Sequence, residues 1–314
     1  MLLVPEVLAI SLLNVFFFIF GAVAFIISLK ILQKWDFNAH TDLQYKLEKQ
    51  SYLTATIIKY ILAIKIPLFL FFIFTLDKLS LSVTGAMCAA GIVDATPYGN
   101  SLFILKILNL YLFGFWILLH TYDSNQKIPK YTKLKFSLFI IAFILLVVEI
   151  GLETLMFYSI DINKIVSCCG TLFSSNQGSY LSTLFQIKTP ILLSLFYGTF
   201  LLMVALSLFQ RKYLFTLSNV FFLIISILSL ILFFGTYIYE LPTHHCPFCF
   251  LQKDYYYVGY LLYSLLFLGT FFGIVSSFST KEVYIKRSLL FNTLYLLIVS
   301  AYPISYYLRN GVWL

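Results

Sequence analysis

Residues 136–160 read FSLFIIAFILLVVEIGLETLMFYSI. Crossing the hydrocarbon of a bilayer takes about 20 mostly apolar residues. This stretch exceeds that length and carries only two charges, Glu149 and Glu153. It is apolar on every face, whereas a β-barrel strand alternates over a shorter run. Every backbone amide in lipid must be paired inside its own segment. The stretch therefore predicts a transmembrane helix.

Working outward, seven more segments meet the same test: Val7–Ile31, Leu53–Leu76, Ser101–His120, Ile191–Phe209, Thr216–Tyr239, Gly259–Phe278 and Ser288–Leu308. The expected fold is all-α, a polytopic membrane bundle of about eight helices in one domain, residues 1–314. The composition agrees, with 61% hydrophobic and 11% charged residues. A soluble domain is nearer half apolar and a quarter charged. The N-terminus lacks a basic leader and a small-residue cleavage site, so the first span is expected to stay.

The net charge of +8 would suggest nucleic acid in a soluble protein. No Lys/Arg stripe interleaves with polar and aromatic residues, so nucleic acid is not an expected partner. In a membrane protein the same excess marks cytoplasmic loops. The odd-numbered connections hold Lys30, Lys34, Lys46 and Lys49; Lys127, Lys130, Lys133 and Lys135; Arg211 and Lys212; and Lys281, Lys286 and Arg287. The opposite face holds Lys78, Lys164, Lys188, Lys253 and Arg309. Thirteen against five predicts a multi-pass protein of the inner membrane with both termini outside.

The even-numbered connections, Asp77–Asn100, Asp161–Pro190 and Glu240–Val258, are the long ones, and they hold all five cysteines: Cys88, Cys168, Cys169, Cys246 and Cys249. Cys88 precedes Cys168 by 80 residues and Cys168 precedes Cys246 by 78. The run Leu102-Phe103-Ile104-Leu105-Lys106 parallels Leu184-Phe185-Gln186-Ile187-Lys188. These intervals suggest hairpin-plus-cysteine-loop repeats whose loops converge.

The sharpest motif is Thr243-His244-His245-Cys246-Pro247-Phe248-Cys249. A C-x-x-C pair supports a reversible disulfide, with a helix N-terminus there favouring a thiolate. It equally supports a soft metal such as copper or zinc, with His244 and His245 joining Cys246 and Cys249 as ligands. The plain alternative is a static disulfide that staples a loop, although so short a ring gains little from closure. Vicinal Cys168-Cys169 suits two separate partners or one soft ion better than a mutual disulfide. Met87-Cys88 lies among small residues, Gly85 to Gly91, that allow close backbone packing.

Charges inside spans are costly and usually functional. Lys65, Lys106, Glu149 and Glu153 are such charges, and the two glutamates share a helix face. Lys106 and Lys188 are expected to pair with Glu149 and Glu153, to hold a quinone oxygen or to balance thiolate charge. A structural ion pair is the plain alternative.

Cys246-Pro247-Phe248-Cys249 resembles the active-site pair of thioredoxin-like oxidoreductases. Its place at the outer end of a span is similar to that in the DsbB and vitamin K epoxide reductase families of quinone-linked thiol oxidoreductases. The resemblance implies that Cys246 and Cys249 face a quinone, while Cys88 with Cys168 or Cys169 shuttles electrons from an extracytoplasmic thiol protein. It covers one motif. Those families have four-helix cores, and vicinal cysteines are not part of their pattern. The leading expectation is thus a membrane thiol–disulfide oxidoreductase. The rivals are a soft-metal protein and a non-catalytic subunit stapled by disulfides.

Overall fold

The computed structural model describes residues 3–36, 41–126, 130–162, 165–166, 187–278 and 282–314. Among these residues there is no strand, and eight helices are long and apolar enough to cross a membrane. The protein is an all-α, multi-pass membrane bundle. The spanning helices are α1 (Pro5–Lys34), α2 (Asp42–Ser80), α4 (Gly99–Ser124), α5 (Thr132–Ser159), α6 (Thr189–Leu208), α7 (Lys212–Ser229), α9 (Val258–Val275) and α10 (Val283–Asn310). A short α3 (Ala89–Asp94) interrupts the first cysteine loop. Helix α7 runs through a π-helical turn, Leu230–Phe234, into α8 (Gly235–Tyr239).

The expected spans all form, and most extend past their apolar cores. Helix α2 gains most, starting at Asp42 rather than Leu53. Thr41 caps it by accepting from the Gln44 amide at 3.3 Å, which satisfies one orphan N–H of the first turn.

The helices cluster into two compact units. One comprises residues 1–84 and 92–164, the other residues 85–91 and 165–314. In the first, α1 packs on α2 and α5, and α4 packs on the same two helices, closing a four-helix ring. Its core includes Phe17, Ile58, Leu62, Trp116 and Phe139. A buried pair, Lys135 to Asp123 at 2.8 Å, ties the α4–α5 hairpin. The Trp116 indole also donates there to the Lys135 carbonyl at 2.7 Å.

The second unit closes the same way, with α6 on α7, α7 on α9, α9 on α10 and α10 on α6. Phe196, Phe222, Phe234 and Tyr295 interlock at its centre. A polar seam crosses it: Ser288 and Asn292 both donate to Asn219 Oδ1, at 3.1 and 3.2 Å. Helices packing in lipid gain little from hydrophobicity, so such contacts and close backbone approach do the holding.

Candidate functional site

The second unit brings three of the five cysteines together. The sulfurs of Cys88, Cys246 and Cys249 all lie within 4.8 Å of one another. Cys88 Sγ and Cys246 Sγ are 3.6 Å apart. All three thiols are buried, at 0%, 1% and 5% exposure. Cys168 and Cys169 lie outside the described residues.

Local structure sets each sulfur. Cys88 stands just before α3 and arrives through a turn at Gly85, whose φ of +86° lies in the left-handed region. A Cβ at Gly85 would sit 2.2 Å from the Val166 carbonyl, so only glycine fits this turn. Gln252 donates to the Met87 carbonyl at 2.8 Å, tying the Cys88 segment to the C-x-x-C segment. The C-x-x-C turn is held by two tyrosines. Tyr239 donates to the Cys246 carbonyl and accepts from the Phe250 amide at 3.1 Å. Tyr263 on α9 donates to the Pro247 carbonyl at 2.8 Å. Tyr239→Phe is therefore expected to leave the Phe250 amide unpaired and to loosen the turn by about 1–3 kcal/mol. Faster maleimide labelling of Cys246 and Cys249 would register that loosening.

Cys249 does not open an α-helix. It begins a three-residue 3-10 turn, Cys249–Leu251, and α9 starts only at Val258. The helix-dipole contribution expected from the motif has no α-helix to supply it.

The histidines depart from the expected ligand set. Among the described residues the gathered donors are Cys88, Cys246 and Cys249, and neither imidazole joins them. The His245 ring nitrogen Nδ1 contacts the carbonyl of Ile231 in the π turn at 3.1 Å. Burial, aided by His244 and opposed by the Ile231 carbonyl, holds the His245 pKa below its ordinary value. His244 packs edge-on against the Tyr239 ring at 4.3 Å. Of His244, His245, Cys246 and Cys249, the two sulfurs alone are gathered, with Cys88 beside them.

The first unit carries the predicted intramembrane charges as a quartet. Lys65 and Lys106 both reach Glu149 Oε1, at 3.1 and 2.9 Å. Lys106 also reaches Glu153 Oε2 at 3.2 Å. Asn14 donates to Glu153 at 2.8 Å and accepts from Lys65 at 2.9 Å. Asn109 donates to Glu149 Oε2 at 2.6 Å. All six side chains are buried. Lys188, grouped with Lys106 and Glu149 in the sequence reading, is instead an exposed residue of the second unit, at the N-cap of α6.

Sequence reasoning missed Asn14, Asn109, Tyr239 and Tyr263. The signal for the asparagines was present, since an amide inside an apolar span needs a partner. Nothing in the sequence marks the two tyrosines as supports of the C-x-x-C turn. No family model, curated protein or solved structure matches the chain.

Proposed function

We propose that this is a membrane protein that binds a soft metal ion through Cys88, Cys246 and Cys249. The observation that carries the reading is the gathering of three thiols within 4.8 Å inside a closed, dry setting. The donor chemistry fits: thiolate sulfur selects Cu(I) and related soft ions over hard ones. Closure fits as well, because a shell that keeps water out also shields thiolates from oxidants. Tyr239 and Tyr263, which hold the turn backbone, orient the ligands from outside. The lysine distribution supports placing the centre on the extracytoplasmic face of the inner membrane.

The 3.6 Å contact between Cys88 and Cys246 favours a second reading, thiol–disulfide exchange. Joining the two sulfurs would release two protons and two electrons, with a membrane quinone as the acceptor. Burial weighs against this reading, since thiolate attack requires access to the partner's sulfur.

The test is titration of the anaerobically purified full chain with Cu(I) against a competing chelator. The expected result is one ion per chain and an ultraviolet sulfur-to-metal charge-transfer band. Ligand thiols must lose their protons to bind, so affinity is expected to rise with pH. Cys88→Ser, Cys246→Ser and Cys249→Ser are each expected to weaken binding by at least about 100-fold. Equal affinity in the wild type and the triple serine variant would overturn the metal reading. A Cys88–Cys246 disulfide formed on adding a quinone, trapped by alkylation and seen by mass spectrometry, would put exchange in its place.

A further inference from the structure

Cys88, Cys246 and Cys249 are all buried, so an ion bound for them first meets a donor outside their shell. The residue next to Cys88 is such a donor. Of the four methionines in the chain, Met156 in α5 and Met203 in α6 are wholly buried, the usual place for a side chain that fills core gaps. Met87 is 74% exposed. It stands just before α3, and its carbonyl accepts from the Gln252 side-chain amide at 2.8 Å. Consecutive Cα atoms are about 3.8 Å apart, so a sulfur open to the outside sits one residue from a sulfur of the closed centre.

The setting of Met87 is aqueous. Its backbone is tied to Gln252, and the next two residues, Lys253 and Asp254, are exposed charges. They precede the start of α9 at Val258, and charges facing hydrocarbon are costly. An apolar side chain held out at such a face gains nothing from burial. A thioether there gains by ligation instead. Thioether sulfur is a neutral, soft donor that suits Cu(I), whereas Zn(II) takes thiolate, imidazole and carboxylate. The neighbouring imidazoles turn inward: His244 Nε2 is buried, and His245 Nδ1 rests against the Ile231 carbonyl at 3.1 Å.

We propose that Met87 is the entry ligand of the thiol centre: its exposed thioether captures Cu(I) from the extracytoplasmic side and passes it to Cys88. This role rests on the metal reading of the three thiols. The transfer is a ligand exchange with no change of oxidation state. The bond from copper to Met87 Sδ breaks as the bond to Cys88 Sγ forms, copper stays Cu(I), and the Cys88 proton leaves to water.

The experiment follows Cu(I) by stopped flow as it moves from a coloured chelator to the full chain in detergent, without oxygen. Met87→Leu keeps the size of the side chain and drops its sulfur, and at an exposed position it disturbs no core. It is expected to slow loading at least about ten-fold, the low end of the spread in association rates among variants of one site. The equilibrium affinity for Cu(I) is expected to stay at the wild-type value, a split that separates an entry ligand from a resident one. Maleimide labelling of Cys88, Cys246 and Cys249 is expected to run at the same rate in both proteins, because Met87 acts through its sulfur and not as a lid. Equal loading rates, an affinity that falls as far as the rate, or labelling that changes along with loading would each overturn the entry role and leave the metal reading standing. A wild type that takes up no Cu(I) would overturn both.

Discussion

Glu149→Leu is expected to destabilise the first unit by about 3–5 kcal/mol, the cost of leaving buried charge without its partner. Glu149 holds Lys65, Lys106 and Asn109 at once. Without it Lys65 keeps Asn14, an uncharged acceptor, and Lys106 keeps Glu153. The unit then carries two ammonium groups against one carboxylate at hydrocarbon depth. The loss is not additive with its partner. Lys65→Met combined with Glu149→Leu restores neutrality and leaves the Lys106–Glu153 pair, so the double variant is expected to recover much of the stability. Unfolding of both variants and the wild type in detergent, followed by circular dichroism, gives the coupling directly. A double variant as unstable as the single would mean that the quartet does not act as a charge-balanced whole.

That quartet also shows what a sequence can disclose. Its charged members stand out because a charge within an apolar span is expensive, and Glu149 with Glu153 shares a face by spacing alone. The spans themselves are legible for the same reason, since backbone in lipid has few ways to satisfy its amides. Which helices meet is not legible. Apolar spans resemble one another, and helix association in lipid rests on shape and small residues rather than on hydrophobic pattern. The helices sort into two four-helix rings, a division that no composition shift along the chain announces. Lys188 looked equivalent to Lys106 by local sequence and proved to be an exposed helix cap. At the thiol centre the approach of Cys88 to Cys246 and Cys249 had a sequence signal in the near-even spacing of the cysteine loops. The exclusion of His244 and His245 had none. It depends on a π turn that offers the Ile231 carbonyl and on the ring of Tyr239, neither of which has a sequence signature.

Gly273→Leu is expected to separate α7 from α9 and to open the thiol centre with them. A Cβ at position 273 would lie 2.1 Å from Asn219 Oδ1 and 2.2 Å from its Cγ. Asn219 has little room to retreat. Its amide donates to the Phe215 carbonyl at 2.8 Å, and its oxygen accepts from Ser288 and Asn292. Thr216 of α7 donates to the Gly273 carbonyl at 3.0 Å, fixing the same approach from the other side. Overpacking of this kind costs about 1–3 kcal/mol where neighbours can shift, and here they must also break a buried hydrogen-bond seam. The effect should reach the other end of α9, because Tyr263 and Gly259 lie on that helix beneath the C-x-x-C turn. Maleimide labelling of Cys246 and Cys249, slow in the wild type because both thiols are buried, is therefore expected to become fast. Asn219→Ala combined with Gly273→Ala tests the cause, since removing the amide makes room for a methyl group. If the labelling rate in that pair stays as high as in Gly273→Leu, the close approach of α7 and α9 is not what keeps the thiols covered.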